Sequence, residues 1–164
     1  LAARLDEAPG SARPALTAAE RPARLPLSPA QQRLWLLERM GEGGATYTIP
    51  VALRLTGTLD RAALHAALHD LVARHESLRT LFPEDAEGPY QRVLPADATD
   101  VPLDEAPFGE RPGPHTPRAF DLTREIPLRA ALHTLSDHSH VLVVTLHHIA
   151  ADGWSMGPLS RDLS

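Results

Sequence analysis

The chain has 164 residues, enough for one domain or part of a larger one, and its 43% hydrophobic and 23% charged content is ordinary for a globular protein. A formal net charge of −5 gives no reason to expect nucleic acid or an anionic membrane as partner, and no apolar run approaches the roughly 18 residues of a membrane span. With no cysteine, disulfides, thiolate metal ligands and a thiol nucleophile are excluded; the opening residues lack a signal-peptide pattern, so the cytoplasm is the expected compartment.

In chain order, "LAARLD" (Leu1 to Asp6) has the apolar spacing of a helix's last turns, whereas Glu7 to Pro26 shows no apolar period. Sequence so rich in Ala, Pro, Arg and Glu buries too little surface to offset ordering entropy, so 7–26 reads as an interdomain linker. A helix end before a linker suggests a multidomain polypeptide, and a chain running from Leu1 to Ser164 reads as a fragment of something longer.

The first firm element is "LSPAQQRLWLLERM". Ser28 suits an N-cap, Pro29 the first helical position, and Gln31 completes a capping box. Leu34, Trp35, Leu36 and Leu37 supply an apolar face, with Trp35 expected in the core, and Gly41, Gly43 and Gly44 end the helix. "YTIPVALRL" alternates Ile49, Val51, Leu53 and Leu55 as a strand does, and Pro50 argues for an edge or an irregular start. After a turn at Thr56-Gly57-Thr58, Asp60 caps a helix from Arg61 to about His75 with a buried stripe of Leu64, Leu68, Leu71 and Val72. Arg74, His75, Glu76 and Arg79 could line a substrate tunnel, but they read better as structural groups closing that helix.

"SLRTLF" and "YQRVL" predict a hairpin around "PEDAEGP". Residues 95–117 are proline-rich and poorly patterned, save for a weak "VPLDE". "PLRAALHTL" and "HVLVVTLHH" predict a last hairpin turning at Ser136-Asp137-His138, and a final helix begins between Asp152 and Pro158. Helices mixed with hairpin-joined strands favour an α+β or mixed-sheet α/β layer structure. Val141 to Leu146 is apolar on both faces and therefore reads as a central, covered strand.

That strand runs into "TLHHIAADGWSMG", Thr145 to Gly157, which admits three chemistries. A metal site would use His147, His148 and Asp152, but side chains alternate along a strand, so adjacent histidines should point in opposite directions. A serine elbow would use "GWSMG", yet Ile149 to Asp152 separate it from the strand and no acid–histidine pair follows; Ser155 fits better as a cap or a polar wall residue. The third reading is acid/base catalysis by His148. A histidine titrating near pH ~6.5 is mostly neutral at pH 7 and can accept a proton. In that arrangement His147 faces inward and braces the turn, Asp152 pairs with a buried cation, and Gly153 lets backbone approach a substrate. The residues alone leave open a blander alternative, in which both histidines are satisfied strand-end groups and Asp152 merely caps a helix.

Three stretches in order, "LSPAQQRLWLL" (Leu27 to Leu37), "RHESLRTLF" (Arg74 to Phe82) and "HHIAADGWS" (His147 to Ser155), resemble the first three signature motifs of condensation domains from nonribosomal peptide synthetases. "YTIP", and "FDL" followed by "PLRAAL", resemble the segments between them. The similarity runs from about Leu25 to Ser164 and corresponds to the N-terminal half of such a domain, whose fold resembles chloramphenicol acetyltransferase. It implies that His148, in the His-His-x-x-x-Asp-Gly motif, is the active-site histidine. His147 and Asp152 would be structural, and Gly153 would lie beside the reacting atoms. "HHIAADGWSMGPLSRDL" is similar to the subtype that joins two L-configured residues; epimerizing relatives diverge around the histidines, and heterocyclizing ones replace the first with aspartate. "LAARLD" is similar to the last helix of a carrier protein.

The implied reaction is aminolysis of a thioester, with donor and acceptor each held on the phosphopantetheine arm of a partner carrier protein. No cofactor or metal would be bound by this domain itself. The implied partners are upstream and downstream carriers, the C-terminal lobe and an adenylation domain. An α-amine with pKa near ~8 must be neutral to attack and becomes cationic as the bond forms, which gives His148 a proton to remove or a charge to stabilise. A buried Asp152 would need an arginine, from Arg33, Arg74 or Arg79 or from the C-terminal half. The competing classes are a non-catalytic docking platform built on the same fold and a serine hydrolase or thioesterase using Ser155.

Overall fold

The computed structural model describes residues 17, 20–41, 46–107, 109 and 119–163. The carrier-like helix end at 1–6 and most of the linker lie outside them. The described end of the linker is docked rather than loose: Arg21 pairs with Glu76 at 2.7 Å, and Arg24 with Asp85 at 2.9 Å and the Gly88 carbonyl at 2.7 Å. Its last residues form a short strand, β1 (Leu25–Pro26), which puts an ordered element inside the predicted linker.

Helix α1 (Pro29–Arg39) begins as its sequence dictates. The Ser28 hydroxyl accepts the Gln31 N–H at 3.2 Å while Gln31 Oε1 accepts the Ser28 N–H at 2.8 Å, satisfying two of the orphan donors of the first turn. It ends at Gly41, whose φ of +75° is left-handed and costs a glycine nothing. Trp35 turns inward and donates from Nε1 to the Phe82 carbonyl at 3.1 Å. Leu36, counted on the apolar face from sequence, is instead 54% exposed; a four-residue apolar run spans more of the helix circumference than one core can cover.

Strand β2 (Thr48–Thr56) alternates half-buried and exposed residues and sits at the edge of a four-stranded sheet ordered β2, β8 (Ser139–His147), β7 (Leu128–Ser136), β6 (Leu103–Pro107), where Pro50 costs no ladder bond on its open side. Helix α2 (Arg61–Arg74), capped by Asp60 accepting the Ala63 N–H at 3.0 Å, lays Leu68, Leu71 and Val72 onto that sheet. Strands β3 (Thr80–Leu81), β4 (Glu84–Asp85) and β5 (Gly88–Val93) supply the predicted hairpin, and β1 joins β5 on its other side.

The proline-rich stretch contains a parallel edge strand, β6 (Leu103–Pro107), which overlaps the weakly patterned "VPLDE" and pairs with β7 (Leu128–Ser136). β7 and β8 (Ser139–His147) form the long antiparallel hairpin, and β8 is central as its two-sided apolar sequence requires. Helix α3 (Met156–Leu163) closes over the sheet through Leu159. Asp162 ties α3 to the end of α2, taking His75 Nε2 at 2.7 Å and Arg74 Nε at 3.2 Å, so the charged groups after α2 are spent on structure. None of the described helices is long and apolar enough to cross a membrane.

Candidate active site

Two cores meet at the carboxyl end of β8. The larger packs Leu142, Val144 and Leu146 against α2 and α3; the smaller gathers Leu27, Trp35, Phe82, Phe120, Leu122 and Ile149 under α1. Strand alternation carries through the end of β8, so His147 is 0% exposed, His148 is exposed, and Ile149 returns to the smaller core at 5%. Burying its two neighbours turns His148 out. Backbone bonds hold the same geometry: His147 N–H donates to the Pro127 carbonyl at 3.0 Å, His148 N–H to Tyr47 at 2.8 Å, and Ala150 N–H to His147 at 3.0 Å.

The His147 ring is locked. Nδ1 accepts the Ile149 N–H at 3.0 Å, and Phe120 packs edge-on at 5.7 Å between centroids. Burial, with the His148 and Arg129 charges adding to it, holds its imidazolium well below the ordinary histidine range, at about 4. At neutral pH the ring is therefore uncharged, and with Nδ1 accepting, the proton resides on Nε2. Nε2 faces Glu38 Oε2 of α1 at 3.6 Å. Glu38 is 10% exposed at its side chain, and burial raises its carboxyl against the opposing influences of the Phe120 backbone N–H and the Arg129 cation. The one sequence signal for Glu38 is its place three residues after Trp35, on the same inward face.

His148 stands at a cavity of about 310 Å³ whose wall includes Ser28, Gln31 and Leu34 of α1 opposite His148, Asp152 and Ser155. A second cavity, of about 210 Å³ and largely apolar, lies toward α3 and shares Ala150, Ala151 and Ser155 with the first. The segment 150–155 thus lies between a more open cavity, whose wall carries His148, Asp152 and Ser155, and a more apolar one toward α3. At Gly153 the φ is not left-handed and an added Cβ would meet nothing within 4 Å, so the fold itself has no need of glycine there.

Asp152 corrects an expectation. It is exposed, not a buried carboxylate paired with a cation, and it caps a short 3-10 turn (Gly153–Ser155): Oδ1 accepts the Ser155 N–H at 3.1 Å and its hydroxyl at 2.8 Å. The Ser155 hydroxyl holds its carboxyl below the usual range. Of the candidate arginines, Arg74 engages Asp162, and Arg79 engages Glu76 and the Leu94 carbonyl. The motif places Asp152 on a loop, where water removes the need for a paired cation. Ser155 in turn accepts the Asp152 N–H at 3.1 Å, so its hydroxyl is committed to the capping box rather than to a histidine. Among the described residues, no three His, Cys, Asp or Glu side chains converge as a metal site requires.

The family model of the condensation domain matches residues 23–164. The chain is 51% identical over its full length to a probable non-canonical nonribosomal peptide synthetase, CymA, of Salinispora arenicola, of which it spans 2%. Among solved structures it resembles the X-domain from teicoplanin biosynthesis (TM-score 0.80, 47% identity, 92% of this chain and 33% of that one), which has also been solved in complex with OxyB. It resembles as well the first condensation domain of the calcium-dependent antibiotic synthetase in complex with a substrate analogue (TM-score 0.70, 30% identity, 87% of this chain and 36% of that one). The chain thus covers about a third of each solved domain, with the chloramphenicol acetyltransferase-like fold expected from its motifs. By motif, fold and full-length similarity, the chain belongs to the condensation-domain family of nonribosomal peptide synthetases.

Proposed function

We propose that the chain is the N-terminal lobe of a condensation domain that forms a peptide bond between two L-residues, each delivered as a thioester on a carrier protein. The observation that carries this reading is the opposed placement of the two histidines, His147 sealed in the core and His148 alone exposed at an open cavity. In the proposed reaction the acceptor amine nitrogen attacks the donor thioester carbonyl, forming the C–N bond. The C–S bond then breaks, and the proton shed by the nitrogen passes by way of His148 to the departing sulfur. The chain has no cysteine, so that sulfur arrives with the substrate on the carrier's phosphopantetheine arm.

General-base help of this kind contributes roughly 10²–10⁴-fold, and holding two tethered reactants together contributes as much or more. His147 braces the turn, Asp152 caps the segment that forms the cavity wall, and Gly153 leaves its backbone open to the substrate. In the test, the complete domain is incubated with a donor carrier bearing an acyl thioester and an acceptor carrier bearing an aminoacyl thioester. An amide product on the acceptor carrier is expected; its absence with the correctly loaded pair would overturn the reading.

A second reading is favoured by the X-domain, solved in complex with another protein: a docking platform without turnover. Trp154, 92% exposed beside the site, suits such a contact. On this reading, wild type and His148→Ala would be equally inert in transfer while binding a partner protein equally well.

A further inference from the structure

We propose that Glu38 is a positioning residue for the condensation site, accepting the Nε2–H of neutral His147 and so fixing the turn that presents His148. This rests on the reading of His148 given above. Glu38 Oε2 and His147 Nε2 are both buried, neither has another hydrogen-bond partner, and they face each other at 3.6 Å. A bridging water would need about 4.5–5.5 Å between the two atoms, so none fits. A side-chain shift of about 0.7 Å brings them to normal hydrogen-bond length, and two buried polar atoms with only each other to satisfy favour that closure.

The polarity matches. Nδ1 is occupied as an acceptor by the Ile149 N–H, so a neutral ring must offer its proton at Nε2, and a carboxylate is an acceptor only. The remaining groups around the pair are the Phe120 backbone N–H, which engages the carboxylate, Arg129 of β7, whose guanidinium lies 3.8 Å from the Phe120 ring centroid, and His148. The cation favours an ionised Glu38 and a neutral His147. A chain of contacts then runs from α1 through Glu38 and the His147 ring to the Ile149 N–H, the residue directly after His148. Such support at one remove from the reacting atoms is worth about 10–100-fold in turnover when lost.

The experiment uses the complete domain with loaded carriers. Glu38→Leu is expected to lower kcat for transfer about 10–100-fold with little change in KM for either carrier, and Glu38→Gln, whose carbonyl still accepts from Nε2–H, to retain most of the activity. In parallel, ring-¹⁵N-labelled histidine is read by NMR: wild type and Glu38→Gln should show His147 as the single Nε2–H tautomer, and Glu38→Leu should lose that signature. Full activity in Glu38→Leu with an unchanged His147 tautomer would overturn the inference, as would a charged or Nδ1–H ring in wild type. The wild-type ring measurement decides the matter even if Glu38→Leu does not fold. If His148→Ala transfers normally, the reading of the reaction fails; if it is inactive while Glu38→Leu is fully active, only the role of Glu38 fails.

Discussion

Acid should destabilise this fold through one buried ring. His147 titrates at about 4 in the folded state, against about 6.5 for an ordinary histidine. Above pH ~6.5 the ring is neutral whether the chain is folded or not, and its contribution is complete. As the pH falls below that, the unfolded chain takes up a proton that the core refuses, so stability drops until about pH 4, where the folded ring also titrates. At about 1.4 kcal/mol per pKa unit, the full span is on the order of 3 kcal/mol. Glu38 acts in the opposite sense, because burial raises its carboxyl and the fold then holds a proton more tightly than the unfolded chain; it remains in a His147→Gln variant and largely cancels from the comparison. Urea unfolding of both proteins between about pH 7 and pH 4 isolates the ring. The destabilisation caused by His147→Gln should shrink by on the order of 3 kcal/mol on acidification. Parallel stability curves for the two proteins would mean that the buried ring does not titrate as its burial requires.

Three further outcomes follow from the packing and the caps. Leu146→Ala empties a fully buried position where β8 meets α2 and α3, and should cost about 2–5 kcal/mol in urea unfolding. Trp35→Phe strands the Phe82 carbonyl and leaves part of the indole's space empty, a loss of at least about 1–3 kcal/mol by the same measurement. Asp152→Ala should lower the melting temperature far less than Leu146→Ala, and Asp152→Asn, which keeps an acceptor for Ser155, should recover most of that loss; a collapse of the fold in Asp152→Ala would show a buried partner for this carboxylate after all.

Local rules made much of this architecture readable in the sequence. Ser28, Pro29 and Gln31 announced the start of α1 because capping is a matter of three adjacent residues, and Pro50 marked an edge because it removes a donor. The opposed histidines followed from strand alternation alone. What stayed hidden depends on partners distant in sequence. β6 has too little apolar period to be seen, and it exists because β7 offers an edge with which to pair in parallel. β1 is two residues long and stands only by pairing with β5. Asp152 was read as buried because its motif was considered without the loop that exposes it, and Glu38 was missed because a charged residue on an apolar helix face has meaning only once the strand opposite is known.

On the proposed reading, the exposed His148, held outward by its buried neighbour, acts on the attacking amine. Single-turnover transfer from a loaded donor carrier to a loaded acceptor carrier, compared between the complete wild-type domain and its His148→Ala variant, tests it most directly. Amide product is expected from wild type, with a loss of about 10²-fold or more in the variant and both carriers still binding. Transfer by His148→Ala at a rate near that of wild type would contradict it.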